Sequence, residues 1–131
     1  MPWDVNYVPH DDTVVLTESG CVSIQTAKDQ VEVVLSLLKE TNATRLLLDF
    51  SEATIDIPAS DRFALPDYHA SLGLLRDRRI AYVLPKSKDQ VHAFIYHQIT
   101  AQEEGYHFGL FTTIDAAMEW LRQGPRAVPP A

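Results

Sequence analysis

The sequence predicts an α/β sandwich: a mostly parallel sheet with an antiparallel edge and helices on both faces. Two features of its 131 residues carry that prediction. Strand-like and helix-like patterns alternate along the chain, which is the order of βα units. The runs TRLLLDF (44–50) and RIAYVLP (79–85) are continuously apolar instead of alternating, so both faces of these strands are covered.

The elements follow in order. NYVPH (6–10) and TVVLTES (13–19) read as two short strands around the polar turn His10-Asp11-Asp12, a hairpin. A first helix is predicted over about 27–40, with Thr26 as N-cap and Val31, Val34, Leu35 and Leu38 on one stripe. Val33 and Leu37 lie beside that stripe; either the hairpin covers them or they mark a homodimer face. The strand at 44–50 follows, then a helix over 66–78 with Pro66 in its first turn. After the strand at 79–85, Ser87 and Gln90 form a capping box. The helix it opens carries Val91, Phe94, Ile95 and Ile99 and stops near Gly105. YHFGLFT is the last strand, and TIDAAMEWLRQ the last helix, with Ile114, Ala117, Met118 and Leu121 on its stripe. The order is β-β-α-β-α-β-α-β-α, a single domain over 1–123, followed by a disordered tail over 124–131. Trp120 has core spacing; Trp3 is either exposed or staples the first strand.

Composition narrows the function. At 46% hydrophobic and 22% charged residues the chain matches an ordinary globular protein. It has no apolar segment of bilayer-spanning length and no secretory-type start, and its lone Cys21 cannot form an internal disulfide. Those features point to the cytoplasm. The net charge of −7 lies wholly in residues 1–56, which hold three basic and ten acidic side chains; residues 57–131 hold eight of each. An acidic half repels phosphate backbones, which argues against nucleic acid as a partner. The basic cluster RDRR (76–79) reads as a solvated helix end, with an anionic-lipid or phosphate site as the alternative.

The segment LLLDFSEATIDIPAS (46–60) carries the most chemistry. A strand ending Asp-apolar-Ser, then apolar-Asp leading into a helix, resembles the STAS domain family. That family includes the bacterial anti-sigma-factor antagonists of the SpoIIAA type and is distantly Sec14-like in fold. The closing FGLFTTIDAAMEWL is similar to the family's last strand and helix, and the resemblance runs over about residues 6–122. It implies a regulatory, non-enzymatic module. In the antagonists a serine after the second aspartate is phosphorylated at a helix start. Asp49, Ser51 and Asp56 match that pattern, but Ile57 occupies the acceptor's place and has no hydroxyl. Ser60 is the nearest substitute, and Asp61 beside it opposes a phosphate.

Other chemistries find less support. Asp49, Glu52, Asp56 and Asp61 lack EF-hand spacing and read as a strand cap with solvated loop acids, so no metal is expected. His92 and His97 are five apart and do not share a helix face; His10, His69 and His107 are scattered. Cys21 reads as a small buried filler. There is no nucleophile elbow, zinc-protease, Walker or dinucleotide motif, so no cofactor is expected and a small hydrolase is the weakest reading.

The piece PASDRFALP (58–66) reads either as a proline-broken helix or as a flap over an apolar pocket at the strands' C-terminal edge. The expected working surface is therefore Asp49, Ser51, Asp56, Ser60, Phe63 and Leu65. Asp49 and Asp56 fix the corner, Ser51 and Ser60 offer hydroxyls, and Phe63 and Leu65 give apolar contact. Its occupant is a regulatory partner protein or an apolar small molecule. The alternative is a lipid or fatty-acid carrier touching membranes transiently through the 58–66 flap and the RDRR cluster.

Overall fold

The computed structural model describes residues 2–56, 78–86 and 107–123. The predicted hairpin is present: β1 (Trp3–Val8) and β2 (Thr13–Glu18) pair antiparallel from Trp3↔Glu18 to Val8↔Thr13. The chain reverses through a 3-10 turn, Pro9–Asp11, closed by Asp12 at φ 50°. Aspartate tolerates this left-handed conformation better than most residues. Its buried carboxylate accepts from the Tyr7 hydroxyl at 3.0 Å and from the Thr44 hydroxyl at 3.4 Å.

Helix α1 (Ile24–Thr41) begins earlier than its apolar spacing predicts. The cap is Ser23, not Thr26. Ser23 is extended, and its Oγ accepts from the Thr26 backbone N–H at 3.1 Å. Thr26 lies inside the first turn, its hydroxyl 3.0 Å from Ser23 Oγ. Ser23→Ala should therefore lower the unfolding free energy by about 1 kcal/mol in a urea titration, with Thr26→Val costing clearly less. Equal costs would return the cap to Thr26. Val34, Leu35 and Leu38 are buried as predicted, joined by Gln30. Leu37 packs partly on the core, whereas Val33 is 44% exposed, so the hairpin does not cover it.

A parallel pair that the sequence did not announce follows: β3 (Cys21–Val22) with β5 (Thr54–Ile55). Alternation on β3 turns Val22 into the core and leaves Cys21 exposed, correcting its expected burial.

The main sheet has the order β1-β2-β4-β6-β7, with β4 (Arg45–Asp49), β6 (Arg79–Val83) and β7 (His107–Phe111) all parallel to β2. Every residue of β4 is buried, because both faces are covered. On the α1 side, Leu46, Leu48, Ile80 and Phe108 join the helix stripe. Tyr82 stacks there on Phe50 and tilts against Phe108, at centroid distances of 5.8 and 5.3 Å. Burial pushes the Tyr82 phenol far up, so it stays neutral. On the other side, helix α2 (Ile114–Arg122) lays Ala117, Met118 and Leu121 on Leu47, Ala81 and Val83. Trp120 is only half-buried there, tilted against Phe111 at 5.5 Å. A Cβ at Gly109 would come within 2.6 Å of the Phe111 ring, so only glycine lets that ring lie over β7. Helices thus cover both faces. The helices predicted over 66–78 and from Ser87 to about Gly105, and the tail over 124–131, lie outside the described residues.

The N-terminal edge of the parallel strands is tied by arginines. Arg78 Nε donates to the Ala43 carbonyl at 2.8 Å. Arg79 donates to the Trp120 carbonyl at 2.8 Å and holds its guanidinium 4.6 Å above the Trp120 ring. These two members of RDRR tie loop and helix ends instead of standing as wholly solvated cations, while Arg76 and Asp77 lie outside the described residues. Arg122 grips Asp11 at 3.0 and 3.3 Å. That hydrogen bond, aided by the charges of Arg122, His10 and Arg45, holds the Asp11 carboxyl below its ordinary 3.8. A carboxyl depressed on folding contributes stability above its unfolded pKa and loses it as pH falls through the folded one. Wild type should therefore lose more stability than Arg122→Gln between about pH 5 and pH 2. The difference should be small and shrink with salt, because the Arg122 side chain is 55% exposed. Identical acid profiles would dismiss the contribution.

Candidate functional site

The parallel strands end together on one edge, where open α/β sheets gather their working residues. Asp49 is the last residue of β4, in register with Thr17 and Val83. It shares the parity of Leu47 and so faces the α2 layer, while Leu48 and Phe50 face α1. Its buried carboxylate accepts the Ser51 backbone N–H at 3.0 Å, the local turn that short aspartate side chains favour. The Phe50 N–H donates to the Val83 carbonyl at 3.0 Å, and Ala53 N–H to the Phe50 carbonyl at 3.0 Å. The chain then crosses to β5, where Thr54 N–H meets the Gly20 carbonyl at 2.9 Å and Asp56 N–H the Val22 carbonyl at 2.8 Å. The 49–56 corner is therefore fixed by backbone at both ends. Between them, Glu52 pairs with Lys86 at 2.8 Å in solvent, the two side chains 65% and 76% exposed.

Asp49 and Ser51 are brought together as a turn. Asp56 is exposed, and among the described residues its backbone rather than its carboxylate ties it down. Ser60, Phe63 and Leu65 lie outside the described residues, as does the 58–66 flap.

Beside the corner, a shallow open depression of about 250 Å3 is lined by Ser51, Val83, Thr112, Thr113, Ile114 and Asp115. Five of these six were not expected. They arrive because β7 lies two strands from β4, so the β7–α2 turn stands at the same edge. Thr113 caps α2, its Oγ1 accepting Ala116 N–H at 3.2 Å. Ile114, expected on the buried stripe, is 46% exposed instead: it is the first helical residue, and the buried face begins only at Ala117. The strand-cap-helix sequence FTTID was the available signal, but nothing in it said which loop it would meet.

Chemically the rim offers hydroxyls, carboxylates and two apolar side chains, of which only Ile114 is exposed. His10 and His107 sit at the opposite end of the strands from Cys21, which rules out a thiol–imidazole pair among these three. Among the described residues no three His, Cys, Asp or Glu side chains converge as metal ligands. No described helix is long and apolar enough to cross a membrane.

No protein-family model matches the chain, and no curated protein matches it. Solved structures do. A candidate anti-sigma factor antagonist from Thermotoga maritima superposes with a TM-score of 0.56 at 19% identity, covering 92% of this chain and 94% of its own. An uncharacterised protein with a SpoIIAA-like fold from Shewanella loihica gives 0.58 at 15% identity, covering 91% of each chain. The anti-sigma factor antagonist SpoIIAA in its unphosphorylated form gives 0.51 at 14%, covering 92% of this chain and 97% of that one. The fold is SpoIIAA-like.

Proposed function

We propose that this SpoIIAA-like chain is a non-enzymatic regulatory module that docks a partner protein on the rim made by Asp49, Ser51, Asp56 and residues 112–115. One observation carries the reading: a corner pinned by backbone at both ends stands beside Ile114, an isoleucine left 46% exposed above a hydroxyl-lined depression. Protein interfaces are built this way, with an apolar centre inside a polar rim. The likeness in fold to anti-sigma factor antagonists supports the class. Ile57 removes the hydroxyl at the expected acceptor position, so docking here is not gated by phosphate at that residue. Ser60, Phe63 and Leu65 extend the same surface in this reading. The alternative, a lipid or fatty-acid carrier, would act through the 58–66 flap, which lies outside the described residues.

A photoreactive residue in place of Glu52 or Ile114 tests the proposal in cells, with Lys39 as control. Lys39 lies at the far end of α1, where β4 begins. The expected result is one protein crosslinked from both rim positions and not from Lys39. With the probe at Glu52, Ile114→Asp should cut that product at least about tenfold, as loss of a buried interface anchor does. Equal capture from Lys39, or none from the rim, overturns the reading.

A further inference from the structure

The geometry points to Glu18 as a positioning residue that couples helix α1 to the 49–56 corner. Glu18 ends β2 and is 1% exposed, although it is a carboxylate. Its two oxygens are divided between two elements. Oε1 accepts from the Gln30 amide at 2.9 Å, a side chain of α1 that is itself 2% exposed. Oε2 accepts from the Gly20 backbone N–H at 2.9 Å.

Gly20 passes the connection on. Its carbonyl takes the Thr54 N–H at 2.9 Å, and two residues later the Val22 carbonyl takes Asp56 N–H at 2.8 Å. The β3–β5 pair is two residues long, too short to hold its own register. Its place is set by the burial of Val22 and Ile55 in the core and, from behind, by what holds Gly20. Space there is tight. A Cβ on Gly20 would stand 2.8 Å from Pro2, and the Pro2 carbonyl is already tied to Ser19 N–H at 2.9 Å. Beside the backbone that runs from β3 through Ser23 into α1, the path Gln30–Glu18–Gly20–Thr54 therefore joins the helix to the corner through the buried Glu18 side chain. Two donors would be orphaned if that side chain were removed, and a buried donor without a partner is costly.

The coupling stands on geometry alone; its consequence, that α1 and the docking corner move as one unit, rests on the docking reading above. Native-state amide hydrogen exchange tests the coupling without any partner, so it can fail while the docking reading survives, and the reverse. In Glu18→Ala, the Thr54 and Asp56 amides should exchange at least about tenfold faster, beyond any change shared by Leu47 and Ala81 in the central strands. Glu18→Gln should stay close to wild type. Its amide oxygen still accepts from Gly20, and a flipped Gln30 side chain accepts from its NH2 group. Gln30→Leu should speed the same two amides to a smaller extent, and with Glu18→Gln it keeps the test open if Glu18→Ala does not fold. A uniform rise across all amides, unchanged Thr54 and Asp56 rates, or Glu18→Gln behaving as Glu18→Ala would overturn the assignment.

Discussion

Leu121→Ala should lower the unfolding free energy by about 3 kcal/mol, the range found for emptying a fully buried leucine site. Leu121 is 0% exposed and sits with Ala117 and Met118 on Leu47, Ala81 and Val83. Helix α2 has nine residues, too few to persist without packing, so its docking depends on this contact. The loss should reach the rim as well, because residues 112–115 enter the depression only while α2 lies on the sheet. A urea titration should show a lower midpoint with an unchanged slope, and Met118→Ala should cost less, since Met118 is 9% exposed. A drop below about 1 kcal/mol would mean that α2 is not seated as described.

The central strands were legible because burial on both faces leaves an unbroken apolar run, and β4 and β6 have one each. The stripe on α1 was legible for the same kind of reason. Gln30 was not singled out, although it lies four residues before Val34 on that stripe, and neither was its partner Glu18. Boundaries failed where two residues of similar chemistry competed. Ser23 and Thr26 are both N-cap formers, and only the backbone conformation at Ser23 decides between them. The β3–β5 pair escaped because two residues carry no period. Cys21 was misjudged with it, since its exposure follows from an alternation that such a short strand cannot display.

The rim was half legible. Asp49 and Ser51 are adjacent in the chain, so a turn between them is a local event. Their meeting with residues 112–115 depends on the strand order β4-β6-β7, a property of the whole sheet. Ile114 shows the limit of periodicity itself. Spacing gives a residue's angle around a helix, not whether the sheet extends far enough to meet it.

Arg45 separates what a buried cation does from what an exposed one does. Arg45→Ala should cost about 3 kcal/mol, with little dependence on salt, whereas Arg122→Gln should cost little and depend on salt. Arg45 is the first residue of β4 and 3% exposed. One arm of its guanidinium donates to the Asp11 carbonyl at 2.9 Å, the other to the Arg122 carbonyl at 3.2 Å. It thereby joins the hairpin turn to the end of α2, and its charge lies where the dipole of that helix favours a cation. A lysine is a point donor without the fork, so Arg45→Lys should recover only part of the loss. Arg45→Met restores packing volume but removes both guanidinium bonds, leaving the Asp11 carbonyl only the Thr13 hydroxyl at 2.8 Å, and should remain well below wild type. If Arg45→Met matched wild type instead, the residue would matter for its bulk alone. The link between the two ends of the chain would then rest on the Asp11–Arg122 pair.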